Sequence, residues 1–195
     1  MDKVLESLSR SELVLTPTKR LARELAASYN REQIRSGVRA WDTPRLLPWQ
    51  AWLVQLEEQA RWSDSSDHGL VLNTEQARLV WEKVLHESGL LAAHVPASSM
   101  VGEVMRAYRT AAEYRITIPA PEAASNDNIA AFSAWVRQYD ARLREKGWID
   151  PARIPDLIGK SARSGLLAPE TLSLIQGDEL CTLHKDLLTS LADAG

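Results

Sequence analysis

Three short apolar runs, each followed by a helical stripe, constrain this chain more than any other feature. The first is Leu13-Val14-Leu15, closed by Thr16-Pro17-Thr18. A brief leucine and β-branched run stopped by proline reads as a buried strand. Thr16 or Thr18 can cap the helix that follows, and Pro17 suits its first turn. Leu21, Ala22, Leu25, Ala26 and Tyr29 then recur at helical spacing until Gly37, a natural stop. The second run predicts a strand near 45–47 and a helix opened by Pro48, with Trp49, Trp52, Leu53 and Leu56 on its buried side. The third predicts a strand over 171–175, a turn at Gln176-Gly177 and a helix over 181–193. Strands that alternate with helices in this way imply a small parallel sheet with right-handed crossovers.

The interval from 73 to about 163 has a helical period instead. Asn73 and Gln76 resemble a capping box ahead of the stripe Ala77, Val80, Trp81, Val84 and Leu85. Further helices are expected around 100–112, 128–146 and 151–163, with a proline-bearing connector over 116–126. Residues 2–9 read as a short amphipathic helix and 63–70 as a loop. The predicted fold is α/β: a small parallel sheet with a large, mostly helical insertion. Its core spans 1–66 and 165–195, and the inserted lobe spans 67–164. A parallel sheet with so few strands leaves faces and edges uncovered, so the chain is expected to be the first part of a longer protein.

With 45% hydrophobic and 25% charged residues, the composition is that of a globular protein. The net charge of −3 gives no whole-chain reason to bind nucleic acid or membrane. That total hides an asymmetry. Residues 17–45 carry seven bases and three acids, whereas 46–195 carry fourteen bases and twenty acids. Lys19, Arg20, Arg23 and Arg31 fall off the apolar stripe, toward solvent or a ligand. Cys181 is the single cysteine, which excludes an intrachain disulfide and a cysteine-built zinc site and suits a reducing cytoplasm. No apolar run approaches the roughly 18 residues of a membrane span, and the first residues lack the pattern of a signal peptide.

Motifs for catalysis are weak. Gly159-Lys160-Ser161 ends like a phosphate-binding loop, but Ile154 stands where the first glycine belongs and no strand precedes it. Asp178-Glu179 follows the third strand, where adjacent carboxylates can hold magnesium, yet a surface turn is the simpler account. His68, His86, His94 and His184 do not pair with one another at helical spacing, and Cys181 with His184 makes only two ligands. Seven tryptophans stand beside one phenylalanine; Trp49, Trp52 and Trp81 lie on apolar stripes, while Trp41 and Trp62 lie in or beside loops.

The segment LVLTPTKRLARELAASY, followed by WDTPRLLPWQAWL, resembles the start of an AddB/RecB-type helicase-nuclease, in particular a bacterial group of DNA repair proteins with a C-terminal PD-(D/E)XK nuclease. Leu13 to Leu25 are similar to the family's motif Ia. Pro48-Trp49-Gln50 stand where a Thr-Phe-His start is usual. LSLIQGDELCTLHKDLL resembles the strand, turn and helix at the family's Walker B position, with Gln176-Gly177 in place of Gly-Phe. The resemblance implies a degenerate RecA/UvrD-like half domain. The phosphate-binding loop that should precede motif Ia is missing: the twelve residues before Leu13 contain no glycine. It therefore implies a module without ATP hydrolysis, cofactor or nuclease site of its own, inside a nuclease parent.

On that basis the chain is expected to bind or guide single-stranded DNA through Thr16, Thr18, Lys19, Arg20, Arg23, Trp49 and Gln50. Asp178 and Glu179 would be a degenerate Walker B pair. Expected partners are the single strand and the remainder of the helicase-nuclease chain or a helicase partner, with no membrane. The alternative is a scaffold that docks the rest of a helicase-nuclease without touching DNA, for which the net acidity of 46–195 argues. A hydrolase using Asp178 and Glu179 ranks last, because no phosphate cradle is present.

Overall fold

A computed structural model describes residues 13–63, 69–91, 96–167, 171–175 and 180–194. They fall into two compact units. One draws on 1–63, 160–180 and 189–195, the other on 64–159 and 181–188. The fold is α/β, with a small parallel sheet and a mostly helical remainder, as the alternating runs imply. Among the described residues, no helix is long and apolar enough to cross a membrane.

In the first unit, β1 (Leu13–Thr16) lies between β2 (Leu46–Pro48) and β5 (Leu172–Leu174), and both pairings are parallel. The central position explains why all four residues of β1 are buried while β2 and β5 are half-buried edges. Helices α1 (Lys19–Arg35) and α2 (Trp49–Ser63) follow β1 and β2. Pro48, expected to open α2, is instead the last residue of β2; its missing N–H is tolerated on an edge strand. Val14 and Tyr29 form a small core with Trp41, Leu46 and Ile175 against them. The helix expected over 2–9 lies outside the described residues.

The second unit is built on α3 (Thr74–Glu87), α4 (Ala97–Glu113) and α5 (Asp127–Lys146). Both bonds of the Asn73–Gln76 capping box form, each at 2.9 Å. The core is an aromatic stack: Trp81 lies parallel to Tyr139 at 3.9 Å, and Tyr108 meets both rings edge-on. Around it pack Leu72, Val84, Leu85, Val101, Val104 and Leu143. Helix α6 (Ile154–Arg163) continues the chain from one unit to the other, and α7 (Thr182–Ala192) has residues in both.

One pair of strands has no counterpart in the sequence reading. β3 (Leu70–Val71) runs parallel to β4 (Trp148–Ile149), just after the glycine that ends α5. The Leu70 N–H donates to the Gly147 carbonyl at 2.9 Å. A Cβ on Gly69 would lie 2.2 Å from that same oxygen. Gly69→Ala should therefore push the strands apart and cost about 1–3 kcal/mol, the usual range for overpacking against backbone. A thermal melt checks this; an unchanged midpoint would mean that the close approach contributes nothing.

Candidate nucleic-acid interface

The interface expected from the sequence begins where β1 ends. Thr16 is 1% exposed, and its hydroxyl donates to the Thr18 carbonyl at 3.1 Å. This bond ties the strand end to the next turn. Thr18 is the N-cap of α1, in extended backbone geometry, and its side chain accepts from the Leu21 N–H at 3.2 Å. Lys19 and Arg20 thus begin the helix, where backbone N–H groups have no intrahelical acceptor and the dipole is positive.

The charge placed there is the opposite of what the helix prefers. Its first turn contains no acid, although a carboxylate would stabilise it by about 0.3–1 kcal/mol. Lys19, Arg20 and Arg23 are all exposed. Among the described residues, Arg20 has only a solvent-exposed pair with Glu24 at 3.6 Å, a contact of little strength. The segment therefore presents cations, N–H groups and a dipole of one sign, all suited to an anion.

The parallel register matches Thr16 with Pro48, so α1 and α2 begin side by side at the carboxyl ends of neighbouring strands. In open α/β sheets ligands bind at that edge. The Ile175 N–H donates to the Leu15 carbonyl at 3.0 Å, which brings the end of β5 to the same edge. Exposed Gln50 lies in the first turn of α2.

Two expected contacts need correction. Trp49 is 5% exposed, with its ring 5.1 Å from that of Trp52. Its apolar area is used in packing, so no ring face is left for a base. Thr16 is buried, and its hydroxyl serves the turn, so its role is to position Thr18. The residues that remain open to a ligand are Thr18, Lys19, Arg20, Arg23 and Gln50. Asp178 and Glu179 lie outside the described residues, as do His68, His94 and the side chain of Trp62. Trp41 is half-buried rather than a free loop ring: its indole N–H donates to Asn30 Oδ1 at 2.9 Å. The Gly159-Lys160-Ser161 tripeptide lies inside α6, where the backbone bonds along the helix and cannot cradle a phosphate. No group of three or more His, Cys, Asp or Glu among the described residues could hold a metal ion.

The second unit carries polar pairs that the sequence reading missed. Tyr139 donates to Asp150 Oδ2 at 2.6 Å, and Tyr108 donates to Asp140 Oδ1 at 2.8 Å. Asp150 also accepts from the Ala152 N–H at 2.7 Å. Burial raises the Asp150 carboxyl above the ordinary aspartate range, more than these donors lower it. Burial likewise lifts the Tyr139 phenol, with Asp150 adding to the effect. A raised folded pKa favours folding at acid pH, and that contribution is lost as pH rises through the folded value. Asp150→Asn should thus remove a destabilising trend that sets in above about pH 4. Urea midpoints of the two chains across that range check it; a wild type that gains on the variant as pH rises would show the opposite linkage.

No family model matches this chain, and no curated protein matches it.

Proposed function

We propose that the chain is a non-hydrolysing, helicase-like module of a DNA repair nuclease that holds or guides single-stranded DNA in the cytoplasm. The observation that carries this reading is the start of α1. Exposed Lys19 and Arg20 stand in the first turn, where a helix favours acids, at the carboxyl edge of a parallel sheet, and exposed Arg23 follows in the next turn. The motif resemblance supplies the class of anion, a phosphodiester strand. The twelve residues before Leu13 hold no glycine-lysine phosphate loop, which supports reading the module as non-hydrolysing. In this reading phosphates sit on the N–H groups and cations of the first turn, and Gln50 reaches the same strand from α2. The parent chain carries the nuclease activity.

The test is an anisotropy titration of a labelled oligonucleotide with wild type and with Lys19→Ala/Arg20→Ala. The wild type should bind and the variant should bind measurably less well. Equal affinities would remove this site.

A scaffold role remains the second reading, supported by Ile34, 66% exposed near the end of α1. Capture of a helicase partner by a chain that shows no affinity for the oligonucleotide would favour it.

A further inference from the structure

The helical unit holds a cavity that the strand-binding reading does not use. Its volume is about 310 Å³, and its walls include Trp81, Gly102, Met105, Arg106, Arg109 and Asp150. Gly102 is the first unusual feature. It lies inside the 17-residue helix α4, where glycine is a much poorer helix former than alanine. No packing requires it, since a Cβ there would meet nothing within 4 Å. Its effect is to leave part of the cavity wall without a side chain.

Charge is the second feature. The exposed charged groups in the wall are cations, beside a neutral exposed Thr74. Among the described residues, Arg106 and Arg109 pair only with Glu103 and Glu113 on their own helix, at 3.0 and 3.4 Å. Such exposed pairs contribute little, so an incoming anion can displace them. Asp150, the one acid among the described wall residues, is 5% exposed and has both oxygens occupied by Tyr139 and Ala152. Most of the remaining surface is apolar or aromatic, and the buried indole N–H of Trp81 has no acceptor. A mostly apolar cavity with a few convergent polar groups is the usual form of a small-molecule site.

We propose that this cavity binds a flat ring system bearing an anionic group, the chemistry shared by a nucleotide and an aromatic carboxylate. The ring lies over Met105 and the open wall at Gly102. The anion bridges Arg106 and Arg109, which share a helix face at a spacing of three residues. The site belongs to the helical unit and does not depend on the start of α1.

Calorimetric titration of the full chain with dTMP, with thymidine and with indole-3-acetate tests this. At least one of the two anions should bind saturably, and which one does identifies the source of the ring. Thymidine should bind about tenfold more weakly than dTMP if the nucleotide is the ligand. Gly102→Leu fills the open wall with a better helix former and should weaken binding by about tenfold or more. Arg106→Gln/Arg109→Gln should do the same, and decides the matter alone if the leucine variant fails to melt cooperatively. Lys19→Ala/Arg20→Ala should leave this binding unchanged, so failure here and failure of strand binding are read separately. No saturable binding of either anion, or equal affinity in wild type and both cavity variants, would overturn the proposal.

Discussion

Trp81→Ala is expected to remove about 3–5 kcal/mol from the stability of the helical unit, the usual cost of deleting a buried large aromatic side chain. Against a typical total of about 5–15 kcal/mol, that is enough to unfold a substantial fraction of the protein. The ring is fully buried, stacks on Tyr139 and receives the edge of Tyr108. Its loss leaves a cavity at the centre of the α3–α4–α5 core that helix backbones cannot close. Trp81→Phe should cost much less. It keeps an aromatic face for Tyr139 and removes an indole N–H that has no acceptor, so part of the lost area is offset. Urea unfolding followed by far-ultraviolet circular dichroism checks both variants. A small loss for alanine, or a larger loss for phenylalanine than for alanine, would contradict this account of the core.

The second large effect is on binding rather than folding. Lys19→Ala/Arg20→Ala removes two cations that the helix itself does not need. At about 1 kcal/mol per lost charged contact, the weakening of strand binding is about 2 kcal/mol, or roughly thirtyfold in Kd. A companion variant separates function from structure. Lys19→Glu/Arg20→Gln places an acid in the first turn of α1 and should leave the melting point equal or slightly higher, because the dipole now meets the charge it favours. The same variant should bind the strand more weakly than the alanine pair. Cations kept at a place where they cost stability are explained by a ligand. If the variant were clearly destabilised, Lys19 and Arg20 would be structural residues.

The parallel sheet was legible because its signals are local. Leu13-Val14-Leu15 is apolar without interruption, which suits a strand covered on both faces, and Pro17 stops it sharply. The Asn73–Gln76 box was legible for the same reason, since its partners are three residues apart. The β3–β4 pair was not. Each strand has two residues, too few for a period, and the pairing rests on main-chain bonds from the Leu70 and Leu72 N–H groups to the distant Gly147 and Ile149 carbonyls. Tyr139–Asp150 and Tyr108–Asp140 were hidden likewise, because each joins separate elements. Trp49 shows how a site residue can be misread. Its helical spacing with Trp52, Leu53 and Leu56 pointed to the buried side while its place in the family motif pointed to a base, and its burial against Trp52 supports the first. Lys19 and Arg20 stood out by composition, but their conflict with the dipole became visible only once Thr18 was seen to be the cap.

The central claim is that phosphates are held by the first turn of α1, and the salt dependence of binding tests it most directly. Neutralised phosphates on a single strand release counterions, so log K falls with log salt by about 0.7 per contact. Affinity for a labelled single strand should be measured across a salt series for wild type and for Lys19→Ala/Arg20→Ala. The account predicts a slope shallower by about 1.4 in the variant, the value for two lost contacts. Identical slopes, with or without a change in affinity, would contradict it.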